Sequence, residues 1–424
     1  MLADPEKAGY LSYNLEALSK VSTSHRSFSI TVDGPPKTLL SKKNVVQKSF
    51  VCTNRWIYVY YSMQGMLLEN ILPTIKGRGA SFDPVNRFEK LKIEPDLEWL
   101  EMEGGRSIKT EYFRDTTREI LARNDSPDIS FTYSLNPYRG CEHGCIYCYA
   151  RPTHEYLGLS AGLDFETKIM VKSDAPALLR KRLNARGWKP QVVAFSGNTD
   201  CYQPAEKRFK LTRRCLEVFL EFRNPIGIIT KNALVSRDID LLREMAKRNL
   251  VCVTLSITTL DNRLARKMEP RTSSPARRLE TLTLLLAAGI PTIVNVAPVV
   301  PGLTDHEMPA ILQEAAKRGV RQAAYILMRL PHSVKELMSV WLEKHYPDRK
   351  EKVLNAVRST RAGALNDPCF GSRQSGIGVR AETIRGMFAV CCEKYGLNGE
   401  KMSLSTDHFR RPAPGQYELF REVT

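Results

Sequence analysis

The chain has 424 residues, of which 42 % are hydrophobic and 26 % charged, the balance of a globular protein with one large domain plus extensions or two domains. No apolar run approaches the roughly 20 residues that span a bilayer, and the opening "MLADPEKAGYLSYNLEALSK" lacks the basic and apolar regions of a secretory signal, so a cytoplasmic protein without a membrane partner is expected. Sixty-three Lys and Arg against 46 acidic residues leave a formal charge of +17, which favours anionic partners, nucleic acid first among them; solvated helix faces are the plain alternative for clusters such as "LLRKRLNARGWK" (178–189) and "EKRFKLTRRC" (206–215).

Residues 1–74 carry no usable motif, although "RWIYVYYSMQGMLL" could form a strand or a short core piece. The polar stretch 75–130, with "KGRGASFDPVNRFEK" (76–90), has little secondary-structure signal. From about 129 a regular alternation begins. "ISFTYSLN" (129–136) reads as a strand, and 173–187 as a helix with Ser173 or Asp174 as N-cap and Gly187 as stop. "QVVAFSG" (191–197) is a strand, followed by an amphipathic segment over 205–223. "IGIIT" (226–230) is a strand, followed by a helix over 236–249. "LVCVTLSI" (250–257) precedes a helix over 275–288, and "PTIVNVAPVV" (291–300) a helix over 305–318. "QAAYILMRL" (322–330) closes the series.

The apolar runs are β-branched and show no polar alternation, so both of their faces are expected to be buried. Strands alternating with helices imply βα units around a parallel sheet. Six units are too few for a closed eight-stranded barrel, which predicts an α/β fold, a partial, open (β/α)6 barrel. Residues 336–424 read as a helical C-terminal extension, over 332–346, 348–361 and 381–397, interrupted by "NDPCFGSRQSGIG" (366–378). The N-terminal region is expected to be irregular.

Three of the ten cysteines fall within eight residues, in "NPYRGCEHGCIYCYARPTHEYLG" (136–158), just after the first strand. In parallel barrels the loops after the strand C-termini build the site. In a reducing compartment such cysteines bind metal or do chemistry more often than they pair. Cys141, Cys145 and Cys148 at C-x3-C-x2-C leave one position open on a four-iron cluster, whereas an electron-transfer cluster wants four cysteines. A structural zinc site completed by His143 or His154 is the competing reading, in a non-enzymatic, zinc-stabilised nucleic-acid-binding protein. The remaining cysteines show no second cluster spacing.

This motif, with aromatic Tyr147 before its last cysteine, resembles that of the radical SAM superfamily. The string "NPYRGCEHGCIYCYAR" is similar to the branch that includes spore photoproduct lyase. "GLDFETKIMVK" (162–172), "SGNTDCYQPAE" (196–206), "ITKN" (229–232), "SITTLDNRLARKMEPRTSSPARRLE" (256–280), "APVVPGLTD" (297–305) and "LMRLP" (327–331) extend the match. "KGRGASFDPVNRFE" and "GSRQSGIG" fit an uncharacterised bacterial single-cluster family of that branch.

The resemblance implies a division into an N-terminal segment (1–75), an N-terminal family region (76–128), a radical SAM core (129–335) and a helical region (336–424). It implies a [4Fe–4S] cluster on Cys141, Cys145 and Cys148, with S-adenosylmethionine (SAM) on the fourth iron. Reductive cleavage of SAM, with an electron from a donor such as flavodoxin or ferredoxin, would yield a 5′-deoxyadenosyl radical that abstracts hydrogen from a substrate. By position, Ser196 and Gly197, in place of the more familiar Gly-Gly-Glu, would present backbone to the methionyl amino group. Lys231, Ser256 and Arg271 would face the carboxylate and ribose, and Asn295 and the backbone of residues 300–302 would flank the ribose and adenine. Tyr147 joins this set from within the motif, with packing as its plain alternative. Cys201, near the expected site, is a candidate hydrogen-atom donor, although the family pattern has proline there.

Overall fold

The computed structural model describes residues 75–88, 108–400 and 402–412. The chain divides into two units, Met1–Leu68 and Glu69–Thr424, and all described residues belong to the second. The expectations for residues 1–74, including "RWIYVYYSMQGMLL", lie outside the described residues. Among the described residues no helix is long and apolar enough to cross a membrane.

Two short strands, β1 (Glu111–Arg114) and β2 (Leu121–Arg123), precede the barrel series. The first parallel strand, β3 (Tyr133–Leu135), leads through β4 (Tyr138–Arg139) into the cysteine loop, and β5 (Lys168–Val171) leaves it. The series continues with β6 (Val193–Phe195), β7 (Ile226–Thr230), β8 (Val251–Ser256), β9 (Thr292–Val299) and β10 (Gln322–Leu327). The main sheet has the order β10-β9-β8-β7-β6-β3-β2. Its six strands from β3 to β10 are mutually parallel, and β2 pairs antiparallel to β3 at the edge. Six parallel strands in sequential order, not closed into a ring, form the partial, open (β/α)6 barrel expected.

The expectation that both strand faces are buried holds for β6 but not for β7 and β8, where buried and half-buried residues alternate. Ile226, Ile228, Val251, Val253 and Leu255 pack into the main core, together with Leu216, Phe219 and Leu242 of the covering helices. The alternate residues Gly227, Ile229, Cys252 and Thr254 are half-buried, because an incomplete barrel leaves its concave side partly open.

The expected 205–223 segment breaks at Lys210, whose φ is 51°, into helices Ala205–Phe209 and Leu211–Phe222. The 236–249 segment is a 3-10 turn, Ala233–Asp238, followed by helix Ile239–Ala246. A helix absent from the sequence expectation, Asn262–Met268, is capped by Asp261, whose carboxylate accepts from the N–H of Arg263 at 2.7 Å. Beyond β10, helices Val334–His345, Lys350–Ser359 and Val379–Tyr395 form the C-terminal region. Leu337, Met338 and Trp341 of the first share an apolar cluster with Cys145, Ile146 and Tyr147, so these helices back the cysteine loop. Arg361, fully buried, donates to the carbonyls of Leu327, Met328 and Ser372 and ties the end of β10 to the loop after it.

A second sheet, order β1-β5-β4, was not visible in the sequence. Its members β4 and β5 flank the cysteine loop in the chain and pair antiparallel with each other. The loop thus begins and ends on one small sheet, which closes its base.

Candidate active site

The cysteine loop turns sharply at Gly144, whose φ is +66° and whose added Cβ would lie 2.7 Å from Glu166 Oε2. The N–H of Cys141 donates to Phe165 O at 2.8 Å, and that of Cys148 to Cys145 O at 3.2 Å. Arg151 and Glu166 are fully buried and paired with each other beneath the loop. Arg151 Nε donates to Cys145 O at 2.9 Å, and its other nitrogens reach the carbonyls of Ala161 and Gly162. Glu166 accepts from the N–H groups of Gly79 and Ala80 at 2.9 and 2.8 Å, so the "KGRGA" segment is strapped across the loop. A Cβ on Gly79 would stand 1.8 Å from Gly144 O, which leaves room only for glycine.

Cys141, Cys145 and Cys148 are all unpaired thiols, and burial pushes each of them up from the ordinary thiol range. The N–H of Asp200 is aimed at Cys141, and those of Ala150 and Arg151 at Cys148; such donors favour the thiolate that iron requires. The histidines are committed elsewhere. Asn232 Nδ2 donates to His143 Nε2 at 3.0 Å, which turns the other ring nitrogen to Asp200 Oδ2 at 3.4 Å. His154 bonds Lys168 O at 3.0 Å and packs edge-on against Phe165. Neither ring hydrogen-bonds a cysteine sulfur, and among the described residues no group of three or more His, Cys, Asp and Glu side chains is gathered as one metal ion requires.

Past the ends of the next strands lies a buried polar group. Lys231, following β7, donates to Thr258 Oγ1 at 2.9 Å and to Ala297 O at 2.6 Å, and pairs with Glu269 Oε1 at 3.2 Å. Tyr147 and Thr258 donate to the same carboxylate oxygen, and Arg278 binds the other. Burial alone would raise the Glu269 carboxyl, but the Arg278 and Lys231 charges outweigh it and hold Glu269 well below the usual carboxylate range. Asp200 is also held low: burial opposes ionisation, and the His143 ring and the N–H groups of Lys231 and Tyr202 overcome it.

Of the residues expected from the sequence, Tyr147 and Lys231 meet in this group. Ser256 borders it through its carbonyl, which accepts from Arg278 at 3.0 Å, and stands beside Asn295 in the β8–β9 register. Asn295 Oδ1 is buried without a partner among the described residues. Ser196, at φ 83°, spends its hydroxyl on its own loop, accepting from the N–H of Cys201 at 2.9 Å and donating to Thr199 O at 2.6 Å. Gly197 receives the Tyr149 hydroxyl at its carbonyl, at 2.7 Å.

Arg271 is not part of this group. Its side chain pairs at 3.0 Å with Glu142, the residue after Cys141, and Thr110 binds both residues. Cys201, the candidate hydrogen-atom donor, is fully buried in the main hydrophobic core, where burial pushes its thiol well up. Thr258, Glu269, Arg278 and Asp200 were missed. All four lie in the quoted strings, but Thr258, Glu269 and Asp200 are lone polar residues in loops with no periodicity to mark them, and Arg278 is one of two adjacent arginines on its helix.

The model of the radical SAM superfamily matches residues 135–315, from the end of β3 into the helix after β9. An uncharacterised protein of Mycobacterium tuberculosis is 34 % identical over 322 residues, covering 74 % of this chain and 88 % of its own. The chain belongs to the radical SAM superfamily. This radical SAM enzyme is also similar, at 25 % identity over 261 residues, to the radical SAM Nalpha-GlyT isomerase of Pseudomonas phage M6, covering 60 % of this chain and 51 % of the phage protein. Its fold resembles that of spore photoproduct lyase complexed with dinucleoside spore photoproduct, with a TM-score of 0.50, 19 % identity, and coverage of 69 % of this chain and 82 % of that one.

Radical SAM enzymes use a [4Fe–4S] cluster and SAM, and these are its cofactors. The residues present fit them: unpaired thiols receive N–H donors, and an orphaned buried amide oxygen, Asn295 Oδ1, waits beside the strand ends.

Proposed function

We propose that Cys141, Cys145 and Cys148 hold the cluster, and that Lys231, Ser256, Asn295, Tyr147 and the backbone at Ser196–Gly197 position SAM. When bound, and given one electron by a donor such as flavodoxin or ferredoxin, these cofactors supply a 5′-deoxyadenosyl radical that abstracts hydrogen from the substrate. The chain's part is to orient the reactants and to keep water from the radical. The apolar cluster of Tyr147, Ile146, Leu337 and Trp341 behind the loop serves the second task.

The substrate is an anion, and nucleic acid is the class the chain's chemistry favours. The observation that carries this reading is Arg329, just past the end of β10. It is half-buried and makes no hydrogen bond or ion pair with any described residue. Its guanidinium lies 5.5 Å from the ring centroid of Tyr149, the residue after Cys148. Tyr149 is 49 % exposed, so part of its ring is open. Burial and the neighbouring Arg373 charge lower the Arg329 pKa, only partly offset by Tyr149, Asp128 and Asp367, and Asp128 is itself bound by Arg373. An unmatched guanidinium beside an open aromatic face suits a phosphate next to a stacked base. The net charge of +17 and the dinucleoside ligand of spore photoproduct lyase support the same class.

The test supplies deuterated single-stranded DNA or RNA to the reconstituted enzyme and looks for the label in 5′-deoxyadenosine. Transfer that is lost in Arg329→Met, with SAM cleavage retained, is expected. Transfer from peptides and none from nucleic acid would overturn the substrate class.

A further inference from the structure

Glu269 lies outside the cysteine motif, yet it is where four parts of the fold meet. Its fully buried carboxylate is reached by Tyr147 from the cysteine loop, Lys231 from the end of β7, Thr258 from beyond β8 and Arg278 from the helix Pro275–Ala287. The flanking backbone docks on the same loop: Met268 O accepts from Ile146 N–H at 3.0 Å, and Arg271 N–H donates to His143 O at 3.3 Å. A pure brace for the loop would explain the Tyr147 and backbone contacts. It does not explain why two cations surround one carboxylate.

Lys231 and Arg278 together carry two positive charges and Glu269 one negative, so the group holds one positive charge in excess. Arg278 is sealed, with its guanidinium spread over Glu269, Ser256 O, Thr272 and Ser273 O. Lys231 is the member with a solvent-open side, its side chain 16 % exposed. Its three N–H groups go to Thr258, Ala297 O and Glu269, so the surplus acts from the Lys231 ammonium as charge rather than as a spare donor, and a surplus charge at a largely buried site calls for an anion. In the neighbouring strand β9, in register with Ser256 at the end of β8, Asn295 Oδ1 is buried without a partner among the described residues, an acceptor for an ammonium or hydroxyl.

We infer that Glu269 is a positioning residue: together with Thr258 it fixes the Lys231 ammonium so that the unmatched positive charge meets the carboxylate of bound SAM. The inference rests on the reading that SAM binds at these strand ends. Glu269 acts through Lys231, so its removal weakens recognition of one functional group and not of the whole ligand.

The experiment measures, by calorimetry on the reconstituted holoenzyme, the binding of SAM and of decarboxylated SAM, which lacks only the carboxylate. Glu269→Gln raises the positive excess by one charge but releases the Lys231 ammonium from its position. If position decides, SAM binding should weaken about tenfold, the scale of one hydrogen bond to a charged group, and decarboxylated SAM should be unchanged, whereas tighter SAM binding would overturn the positioning role. Added to Lys231→Met, Glu269→Gln should cost nothing further. Thr258→Val keeps both charges and removes only the hydroxyl between them. It should show the same selective loss, and it serves if the Gln variant folds poorly because Arg278 has lost its counter-charge. Equal weakening for both ligands, or full additivity with Lys231→Met, would overturn the inference. A wild-type enzyme that binds neither ligand would instead refute the placement of SAM.

Discussion

The buried Arg151–Glu166 pair is where the account of the cysteine loop is most exposed to test. Arg151→Met keeps the length and apolar stem of the side chain and removes its charge. Four hydrogen bonds go with it: to Cys145 O, Ala161 O, Gly162 O and Glu166. Glu166, fully buried, keeps the N–H groups of Gly79 and Ala80 but loses its only ion-pair partner among the described residues. Breaking a buried pair from one side costs about 3–5 kcal/mol. At roughly 2 °C per kcal/mol for a large domain, the melting temperature should fall by about 6–10 °C. Because the Cys145 carbonyl is released as well, the iron bound on reconstitution should fall too. The double variant Arg151→Met, Glu166→Met removes both charges, and it should recover part of the loss, since an apolar pair of similar volume can replace a buried ion pair. Thermal unfolding of the iron-free proteins under anaerobic conditions reads the first effect, and iron content the second. A single variant within about 1 kcal/mol of wild type, or a double variant less stable than either single one, would refute the reasoning.

Cys201→Ala should leave formation of 5′-deoxyadenosine and label transfer intact and cost on the order of 1 kcal/mol in stability, because the thiol fills core volume; loss of turnover with full cluster content would support it as a donor. His154 gives a pH signature. Burial, partly offset by its hydrogen bond to Lys168 O, pushes its pKa down from 6.5 to about 4. The unfolded chain therefore takes up this proton at higher pH than the folded one, and stability falls as pH drops from about 6.5 to 4, by about 3 kcal/mol. Urea denaturation of His154→Gln across that range should show a slope shallower by this amount, and an unchanged slope would contradict the assignment.

The sequence revealed most where local pattern and tertiary burial agree. "IGIIT" is strand β7 from end to end, and the helix expected over 275–288 is observed as Pro275–Ala287, with Ser274 as its N-cap. The cysteine loop was legible because three ligands within eight residues need no long-range information. The small β1-β5-β4 sheet was not, since a two-residue strand such as Tyr138–Arg139 has no periodicity and exists only through pairing with distant residues. The break at Lys210 was hidden because the apolar pattern runs through it on both sides. Arg271 shows the limit of placing residues by motif order. It stands in the right string but turns to Glu142, and Glu269, two residues earlier, takes the place beside Lys231.

The central claim is that three thiols and no fourth protein ligand mark a site for a four-iron cluster and SAM. The most direct measurement is anaerobic reconstitution with iron and sulfide, followed by SAM and dithionite. About four irons per chain, with 5′-deoxyadenosine formed by the wild-type protein and neither outcome in Cys145→Ala, is the predicted result. One tightly bound zinc per chain, with SAM left intact, would contradict it.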